Sequence, residues 1–238
     1  MINKLFLATL TLASTSAFSA TEYKVKIDNV TTGAYFTPFL VAAHSDSVSL
    51  FDTGAAASAN LQAMAEGGNI SGLLNDVQST GGRVVANPAG GLLAPGASAV
   101  ANLGALNPEL TEISIVAMLL PSNDGFVGLN SLTLPTENGT YTYSLNVYDA
   151  GTEANDEIRG SGAPGVAGMP VPPPLQPLLG FNGSGVPNIT AEGFVSVHRG
   201  VLGDLDLNGG VSDIDAANQR WLNPTVNVTI TVSGTPNN

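Results

Sequence analysis

His44 and His198 are the only imidazoles in this 238-residue chain, and it has no thiol at all. The run Ala43-His44-Ser45-Asp46 sets a base, a hydroxyl and an acid side by side. Neighbours along a strand point to opposite faces, so these three cannot line up as a relay. No Gly-x-Ser-x-Gly occurs, and Ser184, within Gly183-Ser184-Gly185, lies in a proline-rich stretch rather than at a strand-to-helix turn. Both histidines therefore read as structural groups that hydrogen-bond loops at sheet ends. Without cysteine, zinc–thiolate sites, iron–sulfur clusters and cysteine nucleophiles are excluded. A single tryptophan, Trp221, makes a poor sugar-stacking platform. Acidic pairs for glycoside hydrolysis stay open, so an extracellular hydrolase acting on a polymer is the alternative function class.

Carboxylates in loops are the stronger chemical signal. Calcium takes six to eight hard oxygens from Asp, Glu, Asn and backbone carbonyls. Two distant loops offer them: Pro121-Ser122-Asn123-Asp124-Gly125-Phe126-Val127-Gly128, and Tyr148-Asp149-Ala150-Gly151-Thr152-Glu153. Each follows an apolar strand-like run, so loops at the same edge of a sandwich could bring Asp124 and Asp149 together. The competing reading is that Asp124-Gly125 only makes a turn and Asp149 only caps a bend.

A third acidic loop, from Asp204 to Asp215, has oxygen-bearing side chains at positions 1, 3, 5, 9 and 12 and glycine (Gly209) at position 6. That is the spacing of an EF-hand loop, with Gly209 expected to permit the sharp turn. Position 12 is Asp215 rather than glutamate, and clear flanking helices are missing. Two outcomes stay open, a second calcium or a solvated acidic turn.

The elements expected to position these loops are strands. Tyr23–Ile27 alternates polar and apolar residues, and Val226, Val228, Ile230 and Val232 share one face of Thr225–Val232. Phe39–Ala43, Ser98–Leu103, Glu112–Leu120, Ser131–Leu134, Tyr141–Tyr148 and Gly193–His198 are further candidates. Short strands joined by turns predict an all-β fold, an antiparallel β-sandwich of about eight strands. Alanine-rich Ala55–Glu66, ended by Gly67-Gly68, predicts a short surface helix, with another turn at Ser71–Asp76. The seven prolines between Gly160 and Pro187 exclude a paired central strand and predict a long Pro/Gly-rich loop. No repeat or linker divides the chain.

The first residues read as a secretory leader: Lys4, an apolar run from Leu5 to Leu12, and small residues up to Ser19. Ala17 and Ser19 fit positions −3 and −1, so residues 1–19 are expected to be a signal peptide and residues 20–238 a single domain. Removing Lys4 leaves six basic and nineteen acidic side chains, a formal charge near −13. Such a surface repels nucleic acid and anionic lipid and favours cations. No later stretch is long enough to span a bilayer. The expected place is therefore secreted, periplasmic or at the cell surface.

Several of these segments together resemble the spondin domain in its stand-alone bacterial form. They are Ala42-Ala43-His44-Ser45, Met118 to Gly128, Tyr148 to Glu153, Val197-His198-Arg199-Gly200 and Arg220-Trp221-Leu222-Asn223-Pro224. The resemblance runs in order from Tyr23 to Val232, and the combination of the two Asp loops is its specific part. It implies a β-sandwich related to calcium- and lipid-binding modules, with one calcium at the loop end. It also implies a role in adhesion without catalysis, with an extracellular protein or surface glycan as partner. In animal relatives the metal is held by a glutamate preceding the hydrophobic strand and by the aspartate of each loop. Those positions match Glu112, Asp124 and Asp149, with Glu153 as a helper. Gly125 stands where animal members carry tryptophan, which implies a lost partner-contacting surface.

Overall fold

The structure, a computed structural model, describes residues 21–187 and 190–234; the expected signal peptide lies outside them. Twelve strands and two helices follow one another: β1 (Glu22–Asn29), β2 (Tyr35–Phe36), β3 (Leu40–His44), α1 (Ala59–Gly67), α2 (Ser71–Ser79), β4 (Arg83–Ala86), β5 (Ser98–Ala105), β6 (Glu112–Leu120), β7 (Gly125–Thr133), β8 (Gly139–Asp149), β9 (Arg159–Gly160), β10 (Met169–Pro170), β11 (Ser196–Val197) and β12 (Val226–Ser233). The fold is an antiparallel all-β sandwich, as the strand pattern predicts. Eight strands run in the order β4-β3-β6-β7-β8-β12-β1-β5, and β4 and β5 at the two ends approach each other.

One strand makes the sandwich two-layered. The first part of β8 pairs with β12, from Gly139 opposite Val232 to Leu145 opposite Val226. Its last four residues pair instead with β7, from Asn146 opposite Gly128 to Asp149 opposite Gly125. A strand that changes sheets in this way forms a corner, here between Leu145 and Asn146, and β8 ends three residues later on Asp149.

Burial explains the residue patterns. In β12, Val226, Val228, Ile230 and Val232 face inward while Asn227, Thr229 and Thr231 remain partly exposed. In β6 every residue from Ile113 to Leu120 is buried, because α1 packs on the strand as well as the opposing sheet. A strand covered on both faces reads as a continuous apolar run. Helix α1 is accordingly more than a surface helix: it buries Leu61, Met64, Ala65 and Glu66. Ser58 Oγ caps its start by accepting from Leu61 N at 3.1 Å, and Gly68, at φ +70°, ends it.

Three expectations change. The segment expected as a turn at Ser71–Asp76 is the nine-residue helix α2, which buries Leu73 and Val77. Strand β7 begins at Gly125, six residues before the expected Ser131, so most of the glycine-rich Asp124–Gly128 motif is strand. The proline-rich stretch lacks a central strand, but a two-residue parallel pair, β9 with β10, ties its start to Met169–Pro170.

Candidate cation site

The connection from β6 to β7 is only four residues long, and Ser122 fastens it. Ser122 Oγ donates to Leu119 O at 2.6 Å and accepts from Gly125 N at 3.1 Å. Because Gly125 pairs with Asp149, Asp124 emerges beside the end of β8, where its carbonyl accepts from Ala150 N at 3.2 Å. The two aspartates singled out by the sequence thus meet where two adjacent strands begin and end.

Both carboxylates are buried, and they differ in what holds them. Asp124 Oδ2 accepts from Thr152 N at 2.8 Å, Thr152 Oγ1 at 3.2 Å and Glu153 N at 3.1 Å. Its Oδ1 is fully buried and has no hydrogen-bond partner. Asp149 Oδ1 accepts from Gly151 N at 2.7 Å, and Asp149 Oδ2 from Asn155 Nδ2 at 2.6 Å. Burial, reinforced by the neighbouring Asp149 charge, pushes the Asp124 carboxyl up to about 7 despite the hydrogen bonds from Thr152 and Glu153. Asp149 is also raised, by burial, against the lowering effect of its Asn155 and Gly151 hydrogen bonds, the Arg199 guanidinium and the adjoining Asp124 carboxyl, which can share a proton with it. Two like charges and an unpartnered buried oxygen form an arrangement that a hard divalent cation would relieve.

The glycines of these motifs answer to specific contacts. Gly151 has φ +69°, and a Cβ there would sit 2.3 Å from Phe194 O. A Cβ on Gly128 would lie 2.6 Å from Cζ of Phe51. At Gly125 a Cβ would meet Ser122 Oγ at 2.8 Å and His198 Cδ2 at 3.2 Å. A side chain at 125 would therefore point into the protein in this chain, so the glycine removes no outward contact surface.

The remaining sequence candidates lie elsewhere. Glu112 starts β6 opposite Thr133 and His44, at the far end of the strand from Asp124. At about 3.3 Å per residue, the eight steps to Leu120 separate it from the aspartate pair by roughly 26 Å. Glu112 is not brought to this site. Glu153 is adjacent through its backbone, but its side chain turns the other way. Its Oε1 accepts from Asn123 Nδ2 at 2.9 Å and from Gly168 N. Burial raises the Glu153 carboxyl, the Gly168 and Asn123 hydrogen bonds lower it, and the charges of Glu66 and Asp156 raise it further. Among the described residues no three acidic or imidazole side chains converge as ready metal ligands. An ion at Asp124 and Asp149 would thus draw its other oxygens from backbone carbonyls, amides or water.

The Asp204–Asp215 loop folds around its own backbone. Asp204 Oδ1 accepts from Asp206 N, and Oδ2 from Val211 N and Ser212 N at 2.7 and 2.8 Å. Those Ser212 and Val211 hydrogen bonds lower the Asp204 carboxyl. Asp206 Oδ1 accepts from Asn208 N at 3.0 Å. The positive-φ glycine is Gly210 (φ +75°), one position later than the expected Gly209.

Both histidines are buried. His44 Nδ1 donates to Ser45 O at 2.8 Å, and its Nε2 lies 2.7 Å from Ser114 Oγ. His198 Nδ1 accepts from Gly200 N at 3.0 Å, and its ring lies 5.0 Å from that of Trp221. Burial holds the His198 imidazole down at about 4, so the ring is neutral near pH 7.

The family model described as Spondin_N matches residues 8–161. No curated protein matches the chain. The matched stretch holds β1 to β8 and both aspartate loops, while β11, the Asp204 loop, the Arg220–Pro224 segment and β12 lie beyond it. It covers more than half of the 238 residues. The chain therefore belongs to the Spondin_N family.

Proposed function

We propose that the protein is an exported, spondin-type binding and adhesion module in which one calcium ion, held by Asp124 and Asp149, fixes the loops that meet a partner. The observation that carries this reading is the buried aspartate pair, with Asp124 Oδ1 unpartnered and the Asp124 carboxyl raised. Calcium, when bound, supplies the positive charge that two adjacent carboxylates need, and it cross-ties the β6–β7 connection to the loop after β8. A non-catalytic role is consistent with the burial of both imidazoles. Among the described residues no helix is long and apolar enough to cross a membrane. The expected partner is an extracellular protein or a surface glycan.

Calorimetric calcium titration of the mature chain tests the proposal, and proton linkage sharpens it. The ion competes with the proton on Asp124, so affinity should fall about twentyfold between pH 7.5 and pH 5.5, given a carboxyl near 7. An affinity that is flat across that range would argue that Asp124 is not a ligand.

The Asp204 loop is expected to be a turn rather than a second site, since its carboxylates already accept backbone N–H groups. Asp204→Ala combined with Asp206→Ala should leave the stoichiometry at one while making the loop sensitive to protease. Loss of a second titrating ion in that variant would assign the loop to calcium.

A further inference from the structure

Beside the aspartate pair opens a cavity of about 440 Å³, lined by Asn155, Glu157, Val186, Arg199, Val201 and Arg220 among others. Its two basic side chains are unusual for this chain, which has only seven basic residues against nineteen acidic ones. Two of its four arginines line this one cavity. The acidic wall residue, Glu157, is already engaged: Oε1 accepts from Leu202 N at 2.6 Å, and Oε2 from Gly203 N at 2.8 Å and Ser212 Oγ at 2.6 Å. Arg199 reaches Glu192 only at 3.9 Å, with its side chain 79% exposed. Arg220 has no ion pair among the described residues. The cavity thus presents two guanidiniums, of which Arg220 has no ion pair among the described residues and Arg199 only the long one to Glu192.

It is also continuous with the aspartates. Asn155 both lines the cavity and donates to Asp149 Oδ2, and the Arg199 guanidinium acts on the Asp149 carboxyl. Gly200 packs against the Trp221 backbone, so the 199–201 turn and the Arg220–Trp221 segment form one wall. The remaining lining from Val186 and Val201 is aliphatic rather than aromatic. That wall suits an aliphatic side chain better than a sugar ring, which would seek an aromatic face.

We propose that this cavity receives a carboxylate side chain, flanked by aliphatic residues, from an acidic peptide segment of the partner, gripped by Arg199 and Arg220 next to the calcium. A guanidinium fork matches a planar carboxylate with two parallel hydrogen bonds. The calcium reading enters in one respect, because without the ion Asp124 and Asp149 would repel the incoming anion. A loaded site would cancel that repulsion. The volume suits one side chain and its neighbours, within the range of small-ligand pockets.

The test is fluorescence anisotropy with labelled Ac-Gly-Val-Glu-Val-Gly-amide, its Gln counterpart and oligogalacturonate, using the calcium-loaded mature chain. The Glu peptide should bind at least tenfold more tightly than the Gln peptide. Arg220→Gln should lose about that factor while calcium affinity stays unchanged, and Arg199→Gln should weaken the peptide similarly. EDTA should weaken binding of the Glu peptide to the wild type. Arg220-dependent binding that survives EDTA would uphold the cavity and count against the calcium reading. Calcium titrating normally while Arg220→Gln binds the peptide like wild type would overturn the cavity alone. Absence of Glu-peptide binding, equal binding of the Gln peptide, or oligogalacturonate binding in place of the peptide would each overturn it.

Discussion

Calcium affinity should fall at least tenfold in Asp124→Asn and in Asp149→Asn, and the double variant should bind none. Each substitution removes one formal charge from a site where, among the described residues, only these two carboxylates converge, and calcium sites depend steeply on ligand charge. The amide keeps an acceptor for the Thr152 and Glu153 N–H groups, so the loop should stay folded. Proton linkage gives an internal control. The folded Asp124 carboxyl is raised to about 7 from 3.8, so the folded state holds the extra proton between those values. That stabilising contribution is fully present below the unfolded value and is lost as pH rises through about 7. Above pH 7 the metal-free Asp124→Asn protein should therefore melt at a higher temperature than metal-free wild type. Calcium should reverse the order by raising the wild type more than the variant. Equal calcium-induced melting shifts in wild type and double variant would remove both aspartates from the site.

Phe126→Ala should destabilise the protein by about 3–5 kcal/mol, the usual cost of emptying a buried phenylalanine position. Phe126 is fully buried next to Gly125. Its ring meets Phe51 edge-on at 5.0 Å and stacks on Tyr148 at 5.7 Å. Tyr148 and Phe51 lie 4.9 Å apart, so three rings close on one another directly beneath Asp124 and Asp149. Gly128 belongs to the same arrangement, since a Cβ there would collide with Phe51. Urea unfolding reads the loss, and an unchanged slope would show that the unfolded state is not the cause. A loss below about 1 kcal/mol would mean the cluster repacks around the gap.

These two results bear on what the sequence made legible. Alternation in β1 and β12 and the continuous apolar run of β6 reveal their burial directly, because one-faced and two-faced strands differ in period. Asp124 and Asp149 were legible because each follows a strand that runs to the same edge. Glu112 was misplaced because the resemblance pairs a glutamate before the hydrophobic strand with an aspartate after it, and nine residues of strand separate those two ends. Gly125 and Gly128 read as loop residues, yet they sit in β7. Gly125 is kept small by Ser122 and His198, and Gly128 by Phe51, and both His198 and Phe51 lie far away in sequence. The same distance hid the turning of Glu153 toward Asn123 and Gly168 and the convergence of Arg199 and Arg220 on one cavity. Helix α2 carries only Leu73 and Val77 as buried anchors, too few to set its period apart from a turn.

The most direct test of the central claim is calorimetric titration of calcium into the mature protein at pH 7.5, beside the Asp124→Asn/Asp149→Asn double variant. The account predicts saturable binding of one ion by the wild type and none by the variant. Absence of calcium binding by the wild type, or equal binding by both, would contradict it.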